Sequence, residues 1–257
     1  MKLADFDVLT FDCYGTLIDW EGGIHTALGP LLWRAGIPLD GGAASPAGEG
    51  LPRAGVTWSR NAVLEAFARV EVRQQENTPG MIYSDLLAEV HGQLAAEFAV
   101  APDPAEAAEF GASIADWPAF PDTVEALGYL RRHFRLVILS NVDRASFQET
   151  SKRLGVTFDA VHTAQEIGSY KPDPRNFDYL LDRLKQQGFA RQKILHVAQS
   201  LFHDHVPAKA IGLASAWIDR RSDAGGWGAT APVTAEVSYD FRFTSLGQLA
   251  RSHRAGE

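Results

Sequence analysis

The sequence contains one cysteine, Cys13, so no disulfide can form within the chain. Long apolar runs are missing as well. None approaches the length that spans a bilayer, and the first residues lead into a short apolar segment without a basic leader or a small-residue cleavage site. The expectation is a cytoplasmic protein with no membrane partner. Positive charge is scarce: 24 Lys and Arg stand against 32 Asp and Glu, a formal net charge of −8. That balance argues against a nucleic-acid partner, whose phosphates reward a basic face. It leaves room for a small anionic substrate, because a few local cations reverse the field inside a pocket. Hydrophobic residues, at 46%, suffice for a sizeable core in one large domain or two modest ones.

What the sequence does have is a series of short apolar runs. Residues 6–11 (FDVLTF), 136–139 (LVIL), 194–198 (ILHVA) and 214–218 (ASAWI) read as buried strands, and 160–163 adds another. Amphipathic stretches at 144–154, 176–187 and 205–211 read as helices between them. Strands apolar on both faces that alternate with helices argue for a parallel sheet covered by helices. Near the end, 237–243 reads as a strand and 245–252 as a short helix. No internal repeat is evident. Ligands of such sheets bind beyond the carboxyl ends of the strands, which directs attention to the residues just after each run.

The segment after the first strand breaks this rhythm. Helical patterns occupy 24–34, 58–75 and 84–98, and a Gly/Ala/Pro-rich stretch at 36–55 reads as a long loop. An insertion at this point belongs above the carboxyl end of the first strand, either as a water-excluding cap or as a helical subdomain that serves stability alone. Its apolar helices offer either a seam against the core or a surface for pairing in a homodimer.

Four places carry polar residues suited to chemistry: Asp12-Cys13-Tyr14-Gly15-Thr16 after the first strand, Ser140-Asn141 after the second, Lys171-Pro172 in a later loop, and Gln199 to Asp204 after the fourth. Their order resembles the haloacid dehalogenase superfamily, whose motifs occupy these strand ends and whose cap interrupts the chain after the first motif. The resemblance covers residues 6 to about 220. It implies a doubly wound, Rossmann-like α/β core at 1–18 and 117–257, with a helical cap inserted at 19–116. Phosphatases of the superfamily carry an acid two residues after the nucleophile, to protonate an alkoxide, and another that helps hold magnesium. This chain has Tyr14 and Gln199 there. Both changes suit loss of a halide, which needs no proton, from a 2-haloacid, which needs no metal. Asp12-Cys13-Tyr14-Gly15-Thr16 therefore resembles the 2-haloacid dehalogenase branch, and no cofactor is expected.

On that resemblance Asp12 attacks the halogenated carbon and forms an ester, and water then attacks the Asp12 carbonyl carbon. Lys171 holds Asp12 ionised, unless it is only a surface lysine before a Lys-Pro turn. Thr16 and Ser140 either orient Asp12 or the substrate, or cap the turns that follow. Asn141 either donates to halide or substrate carboxylate or serves its turn. Asp204 matches a carboxylate near Lys171 and the hydrolytic water, or else caps a helix beginning near His205. His203 and His205 flank it as a candidate general base or, with Asp204, a poorly converging metal site. Arg73, with Arg69 one turn earlier as runner-up, is the cap cation for the substrate carboxylate. Phe177 stands where the branch has a pocket tyrosine and is expected to form an apolar wall. Cys13 is expected to be small packing, with its N–H and that of Tyr14 facing the substrate carboxylate. Two other readings stay open: a magnesium-dependent phosphatase of small metabolites, and a binding module that has lost turnover.

Overall fold

The structure, a computed structural model, describes residues 1–39, 58–234 and 236–256. Most of the loop expected at 36–55 lies outside the described residues. Six strands form one sheet: β1 (Val8–Phe11), β2 (Arg135–Ser140), β3 (Ala160–Thr163), β4 (Ile194–Ala198), β5 (Ala214–Ile218) and β6 (Phe241–Phe243). Their spatial order is β3-β2-β1-β4-β5-β6, and every neighbouring pair runs parallel. This is the parallel sheet that the apolar runs predict, in the doubly wound order that the resemblance implies. The last strand is shorter than expected, forming only over the final three residues of 237–243.

The order places the site. From β1 the chain moves outward to β2 and β3, then returns to the other side of β1 as β4. A crevice opens at such a reversal, between the carboxyl ends of the two strands. Asp12 follows β1 directly, and the segment from Gln199 follows β4. All positions of β1 and β4 are buried, as expected for strands covered on both faces. On one face Val8, Val137, Leu139 and Ile194 pack against Phe177, Leu180 and Leu184, the apolar stripe of the helix Pro174–Gln186. The helix Arg144–Leu154 starts on Asp143, whose carboxylate accepts from Ser146 N–H at 2.8 Å, and stops at Gly155.

By compactness the chain divides into two units. One holds Met1–Asp19, Pro118–Gly225 and Pro232–Glu257; the other holds Trp20–Trp117 and Gly226–Ala231. Between Trp20 and Trp117 the second unit carries helices at Trp20–Ala27, Gly29–Arg34, Arg60–Asn77, Tyr83–Glu97 and Pro104–Ala112. The single helix predicted over 24–34 is two, because Gly29 and Pro30 favour a fresh start over continuation. The helix Pro104–Ala112, capped by Asp103, was not foreseen. Gly226–Ala231 also differs from the expectation of a core that runs unbroken to the end: Ala229 N–H donates to Glu21 Oε1 at 3.0 Å within the helical unit. Phe67 anchors that unit, edge-on to both Trp20 and Phe110. Gly23 lies so close to the Trp117 ring that a Cβ there would collide with it.

Candidate active site

The loop after β1 is wound tightly around one carbonyl. Cys13 O accepts from the N–H groups of Thr16, Leu17 and Ile18, and Gly15 supplies the required positive φ of 90°. This winding brings Thr16 back over Asp12. Thr16 Oγ1 donates to Asp12 Oδ2 at 2.6 Å and accepts from Gln199 N–H at 2.8 Å, which ties the β1 loop to the β4 loop. Asp12 itself is buried.

Lys171 joins the two carboxylates. Its Nζ donates to Asp12 Oδ1 at 3.0 Å, to Asp204 Oδ1 at 2.7 Å and to Leu139 O at 3.0 Å, with the side chain 1% exposed. Burial opposes the ammonium, but the Asp12 and Asp204 charges outweigh it and hold Lys171 above the usual lysine range. Burial raises Asp12, with Lys171 opposing the rise and the Asp204 charge adding to it. Asp204 is the more strongly ionised of the pair. Burial works against its charge, but Lys171 and a hydrogen bond from His196 hold it far below the usual carboxylate range. The surface lysine reading is excluded. So is Asp204 as a helix cap: the backbone makes a wide turn at Leu201–His205, Ser200 caps it by accepting from His203 N–H, and Asp204 points its carboxylate at Lys171.

Other expected residues are placed differently. Asn141 Nδ2 donates to Lys171 O at 3.0 Å and Asn141 Oδ1 accepts from Lys171 N–H at 2.7 Å, so its amide fixes the Lys171 backbone. Ser140 Oγ is buried and has no partner among the described residues, so it does not bond Asp12. The Tyr14 hydroxyl lies 2.6 Å from Thr150 Oγ1, and burial raises its proton affinity well beyond that of a free phenol. Cys13 is fully buried, and burial together with the Asp12 charge keeps it a thiol. Phe177 is not a pocket wall: it belongs to the apolar core and sets its ring edge-on to His196, 5.1 Å between centroids. Arg73 and Arg69 are exposed on the helix Arg60–Asn77, donating to Gln93 and Glu97 respectively.

Among the described residues the flanking histidines form no metal-holding group with Asp204. His205 is held between Ser215 Oγ and Ala198 O, His203 Nδ1 faces Ser200 Oγ, and burial lowers both to about 4. Two residues that bear on the site were missed. His196 Nε2 lies 2.9 Å from Asp204 Oδ1, and Arg220 donates to Thr16 O from Nε and Nη2 at 3.2 and 2.9 Å. The signal for His196 was a lone imidazole in an otherwise apolar strand; for Arg220 it was a position just past the carboxyl end of β5.

The donor set does not fit magnesium. The ion needs hard anionic oxygens, but Gln199 offers an amide, and an ammonium already occupies the space between Asp12 and Asp204. Among the described residues no group of three or more His, Cys, Asp or Glu is arranged to hold a metal ion, and no helix is long and apolar enough to cross a membrane.

The sequence pattern of the haloacid dehalogenase-like hydrolases matches residues 6–201. No curated protein sequence matches. Among solved structures, the chain is similar to the L-2-haloacid dehalogenase PA0810 at 22% identity and a TM-score of 0.71, covering 97% of this chain and 99% of that one. It is similar to the defluorinating L-2-haloacid dehalogenase Rha0230 at 21% and 0.73, covering 98% of each chain. The L-2-haloacid dehalogenase from Xanthobacter autotrophicus matches at 19% and 0.72, covering 98% of this chain and 100% of that one. At these identities the likeness is one of fold.

Proposed function

The chain belongs to the haloacid dehalogenase-like hydrolases, and from that premise we propose that it hydrolyses short 2-haloacids to 2-hydroxyacids through an ester on Asp12, without a metal. The observation that carries this reading is at Tyr14. Transfer of a phosphoryl group from its ester expels an alkoxide, and phosphatases of this superfamily carry an acid two residues after the nucleophile to protonate it. Here that position holds a phenol turned onto Thr150 and made less acidic by burial. A halide leaves as a stable anion and asks for no proton.

In this mechanism an Asp12 carboxylate oxygen forms a bond to C2 as the carbon–halogen bond breaks. Lys171 and Thr16 keep the carboxylate ionised and aimed. Water then adds to the Asp12 carbonyl carbon, and the Lys171 ammonium stabilises the oxyanion that develops. Asp204 Oδ2 has no protein partner among the described residues and is the acceptor for a proton of that water. Arg73, with Arg69 as the alternative, is the proposed cation for the substrate carboxylate. The structural neighbours named dehalogenases support this reading.

The test is halide release from 2-chloropropionate and fluoroacetate in the presence of EDTA, with p-nitrophenyl phosphate and magnesium in parallel. Halide release that resists EDTA and is abolished in Asp12→Asn is expected. Phosphate-ester turnover that EDTA abolishes, with no halide released, would overturn the proposal in favour of a phosphatase.

A further inference from the structure

We infer that His196 is a positioning residue for ester hydrolysis, aiming Asp204 from behind the site, an inference that rests on the ester mechanism proposed above. His196 is fully buried in the middle of β4. The parallel register pairs it with Thr10 on β1, and Thr10 Oγ1 lies 2.9 Å from His196 Nδ1. The edge-on Phe177 ring closes on the imidazole from the helix Pro174–Gln186. Held this way, the ring presents Nε2 to Asp204 Oδ1 at 2.9 Å. An ionised carboxylate has no proton to give, so Nε2 carries the hydrogen and donates it.

The consequence lies in how the two Asp204 oxygens are used. Oδ1 takes both donors, Lys171 Nζ and His196 Nε2, while Oδ2, equally buried, takes none from the described residues. A carboxylate anchored through one oxygen by two donors from different directions cannot rotate freely. Oδ2 stays fixed as the free acceptor. Lys171 alone would leave Asp204 able to pivot about a single contact, and Lys171 also serves Asp12. The histidine is therefore what makes the Asp204 orientation independent of events at Asp12.

The two half-reactions use this differently. In halide displacement the Asp12 oxygen bonds to C2 and the halide departs with the electron pair, and no proton moves. In hydrolysis the water oxygen bonds to Asp12 Cγ and gives one proton to Asp204 Oδ2. The Cγ–O ester bond breaks, that proton passes to the departing oxygen of the 2-hydroxyacid, and the second water proton is lost as Asp12 re-ionises. Only the second half-reaction needs Asp204 aimed, so loss of His196 separates the two.

The experiment is rapid-quench kinetics with 2-chloropropionate, following halide and the mass of the Asp12-containing peptide. His196→Leu is expected to release about one halide per chain at a near-normal rate, then turn over roughly 10²-fold more slowly with the ester accumulating. His196→Gln, whose amide N–H takes the place of Nε2–H, is expected to recover to within about tenfold of the starting rate. Steady-state turnover of His196→Leu within twofold of the unaltered protein would overturn the inference, as would equal slowing of burst and steady state. If His196→Leu does not fold, Thr10→Val decides by the same split: ester accumulation supports the inference, and unchanged kinetics overturn it. An unaltered protein that releases no halide overturns the ester mechanism, and the inference with it; halide release through an Asp12 ester that is unaffected by His196 overturns the inference alone.

Discussion

The two units of the chain each bury a carboxyl group, and they treat it in opposite ways. In the sheet unit Asp204 is 0% exposed and lies against an ammonium and an imidazole N–H. In the helical unit Glu71 is 2% exposed; the Tyr83 hydroxyl donates to Oε1 at 2.7 Å, and Oε2 has no partner among the described residues. Burial is nearly the same, yet Asp204 is held far below the usual carboxylate range while burial lifts Glu71 to about 7, with the Tyr83 bond opposing the rise. Depth does not decide the charge of a buried acid. A countercharge within bonding distance does, and Asp204 has one in Lys171.

The comparison breaks most sharply if Asp204 is given the surroundings of Glu71. Lys171→Met removes the ammonium at nearly constant volume, and both Asp204 and Asp12 should then bind protons more tightly. Halide release should fall by roughly 10²–10³-fold. A loss below twofold, measured under saturating 2-chloropropionate, would leave Lys171 with a structural role only.

A second test concerns stability against pH. The folded state binds the Glu71 proton more tightly than the unfolded state does, about 7 against 4.5. Its contribution is therefore fully present below about pH 4.5 and is lost as pH rises through about 7, an effect on the order of 3 kcal/mol. Asp204 carries the opposite sign: its contribution is present above its unfolded value of 3.8 and fades only in stronger acid, so it adds no slope between pH 5 and 8. Glu71→Gln should flatten the fall in urea midpoint between pH 5 and 8, and an unchanged slope would mean that Glu71 does not cause it. The smallest effect belongs to Tyr83→Phe. It should cost about 1 kcal/mol in urea unfolding at pH 5 and move the midpoint of the pH dependence upward, because the phenol bond lowers the Glu71 proton affinity.

The sheet was legible because a strand covered on both faces must be apolar throughout, and four such runs stood out from their surroundings. The helices at Pro104–Ala112 and Thr123–Leu130 were not, because they are short and carry only brief apolar stripes. Around the site, Asp12, Thr16, Lys171 and Asp204 could be named from the family resemblance that the order of their motifs carries, and the structure brings these four together. Their neighbours obey contacts that no local pattern encodes. Asn141 finds the backbone of Lys171 thirty residues on, Tyr14 finds Thr150, and Phe177 packs inward on His196 instead of lining a pocket. His196 was visible as an oddity in β4, but its purpose became readable only when β1 supplied Thr10 and the turn after β4 supplied Asp204.

The Lys171 ammonium has three N–H bonds and meets three acceptors: Asp12, Asp204 and the Leu139 carbonyl. Its nitrogen therefore has no lone pair to offer and no proton to spare. Amine chemistry is closed to it, whether Schiff-base formation, carbamylation or acyl transfer, and reagents that modify exposed amines such as Lys152 find nothing to attack. In the proposed mechanism the residue enters a turnover cycle and leaves it in the same charge state, a permanent fixture of the field around the two aspartates.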